Sequence, residues 1–314
     1  MEEKVSYKVQ NWSQYNRSLI NRGNITVWFS EEALNSWYDS DAPSGKGRPR
    51  VYSDECIELG LVIRSLFNFP LRATQGFLEG MLELLGIDLL VPCYTSLSRR
   101  ASKLNVQLNT ALKKEKPLNL VIDSTGLKIY GEGEWKTRIH GKQKRRSWRK
   151  LHVAVNPESH EIISMELTTA KNTDDQMLPK LIEELDYLGS IYADGAYISE
   201  TSFESMAKKG ASPRIPLRSG TSLAKNPKNK PGLALRNQLV HEIWEAGGRV
   251  NWKKSSDYHR RSLVETCMMR IKKIFSGSLS SRKYENQIIE ARLKSAMLNR
   301  MTALGMPQTI AVIG

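Results

Sequence analysis

The sequence has 314 residues, 40% of them hydrophobic and 25% charged, with a formal net charge of +14. That is enough apolar material for one large domain or two ordinary ones, and the excess positive charge calls for a polyanionic partner, most simply nucleic acid. Three scattered cysteines (Cys56, Cys93, Cys267) and five histidines without finger or HExxH spacing exclude a disulfide framework and a zinc site. The opening residues lack a signal peptide and no apolar run reaches membrane length, so a soluble cytoplasmic protein is expected.

Residues 1 to about 50 mix aromatic, amide and basic side chains: Trp12, Tyr15, Arg17, Arg22, Trp28 and Trp37. A short helix is predicted over 12–20 and a short strand over 25–29. The aromatics suit a small local core or contacts to nucleic acid. Residues 42–50 (APSGKGRPR) read as a basic linker. Three helices follow, over 53–65 with Ser53 as N-cap, over 71–85 and over 94–104. The third carries Arg99 and Arg100 on a cationic surface. Helix, break at 86–92 and basic helix match a helix-turn-helix element, and equally a helical hairpin with a solvated face. The charged stretch 113–117 (KKEKP) marks a hinge. It divides a helical DNA-binding region, 1–116, from a second domain, 117–314.

The second domain opens with the apolar run 118–123 (LNLVID), a buried strand ending in Asp123-Ser124-Thr125-Gly126. Polar residues at a strand's exit are a common place for chemistry in α/β sheets. After 127–130 and a turn at 131–133 comes the basic run 142–150 (KQKRRSWRK). Its Arg145, Arg146, Arg149 and Lys150 are candidate phosphate contacts. Residues 151–155 and 162–168 alternate as antiparallel strands. A helix is expected over 174–187, with Thr173 and Gln176 as a capping box and Asp174 and Asp175 at its positive end. The strand 190–193 then ends in Asp194. A helix over 199–209, a strand over 214–217, a basic insertion around 217–256 containing a helix over 233–246, and a closing helix over 286–304 complete the chain. Within the insertion, Trp244 and Trp252 serve as core residues or as a hold for an unstacked base.

The segment 258–272 (YHRRSLVETCMMRIK) reads as a helix. At ~100° per residue, Tyr258, Arg261, Glu265 and Lys272 share an arc of roughly 60°. Leu263, Val264, Cys267, Met268, Ile271, Ile274 and Phe275 spread over roughly 140° of the surface. So broad an apolar face packs on a core, and the polar strip points into a site. The simpler reading is a salt-bridged face with Arg261 and Glu265 at i,i+4.

Asp123 and Asp194 on two strands and Glu265 on a core-packed helix make a set of three carboxylates. Without His or Cys ligands, such a set suits Mg²⁺, with Mn²⁺ as a substitute, and two ions between carboxylates support phosphodiester exchange. The order strand-strand-strand-helix-strand-helix-strand-helix, with acids on the first strand, the fourth and a late helix, resembles the ribonuclease-H-like fold, a mixed five-stranded sheet with flanking helices. The Tyr258, Arg261, Glu265, Lys272 spacing resembles the Y-(2)-R-(3)-E-(6)-K signature of bacterial insertion-sequence transposases. The stretches NWSQYNRSLINRGNITVWF, GKGRPRVYSD, LRATQGFLEGMLELLG, IDSTGLKIYGEGEW, RRSWRKLHVAVN, ADGAY and LNRMTALGMP extend the likeness over nearly the whole chain. Together they resemble the DDE transposases of the insertion sequence five family, most closely its 903 subgroup.

The resemblance implies an α/β catalytic domain behind a helical region that binds terminal inverted repeats of double-stranded DNA. It implies Mg²⁺-dependent cleavage at those ends and joining of 3′-hydroxyls to target DNA. Asp123, Asp194 and Glu265 would be the catalytic and metal-holding triad, and Tyr258, Arg261 and Lys272 would lie near the DNA end. A homo-oligomer pairing two ends, associated with the bacterial nucleoid, is also implied. Two positions depart from the pattern: Cys93 stands where Asp is expected before Tyr94-Thr95, and Ile198 follows ADGAY where Asp is frequent. A metal-dependent nuclease of the same fold and a non-catalytic DNA-binding derivative are the alternatives.

Overall fold

The computed structural model describes residues 5–29, 31–39, 51–108, 116–129, 148–225 and 227–313. The linker 42–50, the hinge residues 113–115, the turn at 131–133 and the basic residues 142–147, including Arg145 and Arg146, lie outside the described residues. The chain divides into two compact units, Met1–Gln107 with Ala296–Gly314, and Leu108–Ser295. Its first elements are β1 (Val5–Val9), α1 (Trp12–Arg22), α2 (Glu31–Asn35), α3 (Asp54–Phe67), α4 (Leu71–Leu84) and α5 (Tyr94–Arg100). There follow β2 (Leu118–Ile129), β3 (Trp148–Val155), β4 (Ile162–Thr169), α6 (Leu178–Ile182), β5 (Leu188–Tyr192), α7 (Glu200–Lys208) and β6 (Ser212–Arg214). The last are α8 (Pro231–Glu245), α9 (Arg249–Ser255), α10 (Ser262–Phe275), β7 (Ser278–Leu279), α11 (Tyr284–Ala303) and β8 (Thr309–Ile313).

In the first unit, Ser53 caps α3 by accepting from the Cys56 N–H at 3.0 Å, with Asp54 and Glu55 in the first turn complementing its dipole. The helix stops at Asn68, which adopts the left-handed conformation. Its buried face (Cys56, Ile57, Leu59, Leu61, Ile63) meets Leu78 and Leu82 of α4 and Leu97 of α5 in one core. Trp37 is fully buried, and its indole donates to the Leu90 carbonyl at 2.8 Å. Trp28 is buried as well, while Trp12 remains exposed. The strand expected over 25–29 is instead a 3-10 turn, Ile25–Val27, because the Asn24 side chain accepts from the Thr26 N–H at 3.1 Å and closes the backbone. The helix expected over 94–104 ends at Arg100 and tightens into a 3-10 turn, Ala101–Lys103. β1 pairs antiparallel with β8, from Val5↔Ile313 to Val9↔Thr309, so the last residues group with the N-terminal region rather than with 117–295.

The second unit is built on a mixed sheet of order β4-β3-β2-β5-β6. β2, β3 and β4 are antiparallel neighbours, whereas β5 and β6 run parallel to β2. This is the ribonuclease-H-like arrangement, with a sixth, two-residue strand β7 added beside the end of β2. Leu120, Ile122 and Ala154 share one core with Leu178 and Leu181 of α6, Phe203 and Met206 of α7, Leu239 and Val240 of α8 and Trp252 of α9. Helix α10 packs against β2 and β3 through Val264, Cys267, Met268, Ile271 and Phe275, the apolar arc expected of it.

Several boundaries differ from expectation for local reasons. β2 does not stop at Asp123; its ladder with β3 continues to Lys128↔Trp148 and keeps the polar Asp-Ser-Thr-Gly stretch extended. The helix expected over 174–187 shrinks to Leu178–Ile182, and Thr173 and Gln176 form no capping box, since Met177 stands at the N-cap. The strand expected over 214–217 is Ser212–Arg214, set by pairing with Ser190–Tyr192. Tyr258–Arg261 forms a 3-10 turn ahead of α10 rather than its first turn, entered through a left-handed Asp257. No described helix is long and apolar enough to cross a membrane.

Candidate active site

The register of the parallel pair brings the two aspartates together. Leu120↔Ile191 and Val121↔Tyr192 are the last matched residues of β2 and β5. Asp123 and Asp194 each lie two residues further on, near enough for the charge of Asp194 to act on Asp123. Asp123 stays in its strand because β3 holds that side. Asp194, with no partner beyond Tyr192, leaves β5 and caps the 3-10 turn Gly195–Tyr197, its Oδ1 accepting from the Ala196 N–H at 2.8 Å.

Glu265 arrives from α10 through Arg261. The Arg261 guanidinium donates to Asp123 Oδ2 at 3.0 Å with one nitrogen and to Glu265 Oε1 with the other. The Ser124 N–H donates to the other Asp123 oxygen, Oδ1, at 2.7 Å. Burial pushes the Asp123 carboxyl above its ordinary range; the Ser124 N–H and Arg261 oppose the shift, and the charges of Asp194 and Glu265 add to it. The three acids therefore share one electrostatic field although their positions in the chain are far apart.

Tyr258 points into the same region. Its hydroxyl donates to the Ala193 carbonyl at 3.3 Å, next to Asp194, and Lys253 sits over its ring. Burial raises its pKa, as do Asp194 and Asp123. Lys272 is exposed in the last turn of α10.

The other candidate cations are placed unequally. Arg99 is exposed on α5. Arg100 instead turns back into its own unit, donating to the Tyr52 carbonyl and to Asp54. Arg149 donates to Gln287 Oε1 at 2.8 Å and lies over the Tyr284 ring. Lys150 is paired with Asp174 at 2.9 Å. Arg100, Arg149 and Lys150 thus satisfy partners in the fold rather than presenting free charge. Trp252 is a core residue, whereas Trp244 is 53% exposed, beside Arg218 and Arg249 in a shallow pocket.

Reading by sequence passes over His152 and gives Asp174 to a helix N-terminus, whereas the two stand together, beside Ser124, on the other face of β2. A histidine inside the apolar run 151–155 was the available signal.

Among the described residues, no group of three His, Cys, Asp or Glu side chains stands close enough to hold a metal ion. In their chemistry, Asp123, Asp194 and Glu265 still fit a hard divalent cation: they offer only carboxylate oxygens. Arg261 supplies the positive charge that Asp123 and Glu265 contact here.

Two protein-family models described as "Transposase DDE domain" match the chain, over residues 20–132 and 114–300. An uncharacterized protein of Aquifex aeolicus (strain VF5) is 27% identical over 194 residues, 55% of this chain. The match spans 57% of that relative's length. Among solved structures, the piggyBac transposase synaptic complex with hairpin DNA aligns at 10% identity over 94% of this chain and 76% of that one, with a TM-score of 0.42. The Drosophila P element transposase strand transfer complex aligns at 12% identity over 87% and 84%, with a TM-score of 0.34.

Proposed function

Because this chain belongs to the transposases with a DDE domain, we propose that it cleaves DNA at the terminal inverted repeats of an insertion sequence of the 903-like group and joins the 3′-hydroxyls to target DNA. One observation supports the reading: Asp123 and Asp194 each follow the last β2–β5 pair by two residues, and Arg261 hydrogen-bonds both Asp123 and Glu265. Only the folded sheet joins these distant acids. The triad would hold divalent metal, Mg²⁺ or Mn²⁺, which when bound would supply Lewis acidity to the attacking and leaving oxygens.

The protein's own residues supply the rest. The Ser124 N–H fixes one Asp123 oxygen, and the Ala196 N–H fixes Asp194. Arg261, once its carboxylates are otherwise neutralised, has two donors to offer a DNA phosphate. Arg99 and Lys272 are exposed for phosphate contact, and the exposed Trp244, in a pocket that Arg218 and Arg249 also line, is available to stack on a base. The net charge of +14 suits the polyanion. Synapsis of two ends calls for at least two copies of the chain.

The test is cleavage of a labelled duplex carrying the element's end, with and without Mg²⁺, by the wild type and Glu265→Gln. Metal-dependent cutting by the wild type, with a variant that binds the duplex and leaves it intact, supports the triad. Equal cutting by both removes Glu265 from the chemistry. Products joined covalently to a target plasmid separate a transposase from a plain nuclease.

A further inference from the structure

A polar cluster, part-buried around the fully buried His152, lies on the face of the sheet opposite Asp123. Neighbouring residues in a strand point to opposite faces, so Ser124 projects away from Arg261 and Glu265. The register places His152 beside Ser124, and Lys150 beside Gly126, on that face. Asp174, from the irregular stretch before α6, completes the group. Lys150 Nζ donates to its Oδ2 at 2.9 Å, and His152 Nδ1 stands 3.3 Å from its Oδ1 without an aligned hydrogen bond. The Ser124 side chain, beside His152, lies close enough to the same carboxylate to favour its ionised form. His152 is fully buried, with Nε2 2.9 Å from Thr168 Oγ1. Tyr197, the last residue of the turn that Asp194 caps, is also fully buried. Its hydroxyl lies near Ser124 without a fully formed hydrogen bond.

Drawing a carboxylate and an ammonium partly out of water beside a buried imidazole has a cost, and apolar residues of the same volume commonly serve stability as well or better. What the polar cluster adds is direction. Ser124 faces both ways: its N–H donates to Asp123 Oδ1, and its side chain stands on the opposite face beside His152, which contacts Asp174. Tyr197 brings the turn after Asp194 against the same serine.

We propose that Asp174 is a positioning residue which, through Ser124 and the adjoining Tyr197, fixes the spacing of Asp123 and Asp194 from behind the sheet. This rests on the assignment of those two aspartates as metal-holding acids. Partners that orient ligating carboxylates influence metal affinity and activity by about 10–100-fold.

The experiment uses the full chain and three variants, Asp174→Asn, Ser124→Ala and Asp123→Asn. Mn²⁺ affinity is read by electron paramagnetic resonance without DNA, alongside end-duplex cleavage and thermal melting. Asp174→Asn and Ser124→Ala are expected to weaken Mn²⁺ binding by about tenfold or more and to slow cleavage at saturating metal, with binding of the duplex unchanged. A lowered melting temperature with wild-type Mn²⁺ affinity would assign Asp174 to stability alone and overturn the proposal. If Asp174→Asn fails to fold, Ser124→Ala, which removes no charge, decides by the same readout. Asp123→Asn tests the premise separately. Wild-type Mn²⁺ binding and cleavage in that variant sink the assignment of the acids. Loss of both there, with wild-type behaviour in the other two, leaves the site standing and refutes the positioning role.

Discussion

Replacing Arg261 by glutamine removes the only cation that hydrogen-bonds both Asp123 and Glu265 among the described residues. The side chains of Arg261 and Asp123 are 24% and 19% exposed, and that of Glu265 is 54% exposed. The Asp123 half of the contact is thus shielded from water, while the Glu265 half is discounted for solvent screening. A charged hydrogen bond to a partly buried carboxylate contributes about 1.5–3 kcal/mol, and the exposed i,i+4 half about 0.3–0.5 kcal/mol. The loss is therefore roughly 2 kcal/mol, or about 4–8 °C in melting temperature for a unit of this size. Melting is followed by scanning fluorimetry in chelator at neutral pH, and repeated in millimolar Mn²⁺. The variant is expected to melt below the wild type in chelator and to recover most of the difference in metal, because a cation then neutralises the same carboxylates. Its Mn²⁺ affinity should exceed the wild type's, since binding no longer displaces a guanidinium. A variant that melts with the wild type in chelator, or that metal fails to rescue, would refute the view that Arg261 is the internal counter-ion of this site.

Gly232 opens α8 where its N–H donates to Glu204 of α7, and a Cβ there would stand 2.5 Å from the Glu204 nitrogen. Gly232→Ala should destabilise by about 1–3 kcal/mol, visible in urea melts; an unchanged midpoint would mean the two helices separate freely. Hydrogen bonds from Ser96 and Thr95 lower the Cys93 thiol to about 7, while burial pushes Cys56 and Cys267 up to about 12. Iodoacetamide at pH 8 should therefore modify Cys93 alone in the native protein, and mass spectrometry finding a second fast-reacting thiol would contradict that ordering. Lys272→Gln should weaken DNA binding and reduce the salt slope by about 1, without a change in melting. Arg100→Gln, which loses Asp54 and the Tyr52 carbonyl, should do the reverse; a loss of salt slope in Arg100→Gln would show that this arginine reaches DNA.

Much of the second unit was legible because its information is local. The apolar runs of β2, β3 and β5 name themselves as strands, and the arc from Val264 to Phe275 names a core-packed helix; in the first unit, Ser53 announces the start of α3. The chain's composition and the order of its acids likewise belong to the sequence. Tertiary structure decided what depends on neighbours. Asp123 sits inside a strand because a ladder with β3 overrides a turn-like tetrapeptide. Asp174, which has the residue type of a helix N-terminus, is instead recruited by Lys150 and His152 from another strand. Arg99 and Arg100 are chemically the same residue, yet one is exposed and the other faces Asp54, because α5 turns them to different sides. Trp244 and Trp252 diverge in the same way, one exposed and the other in the core. Periodicity and propensity are properties of a segment, so the sequence carries them. Which partner satisfies a charge, and which aspartate stands beside which, depends on strand register and helix rotation, and these exist only once the chain has packed.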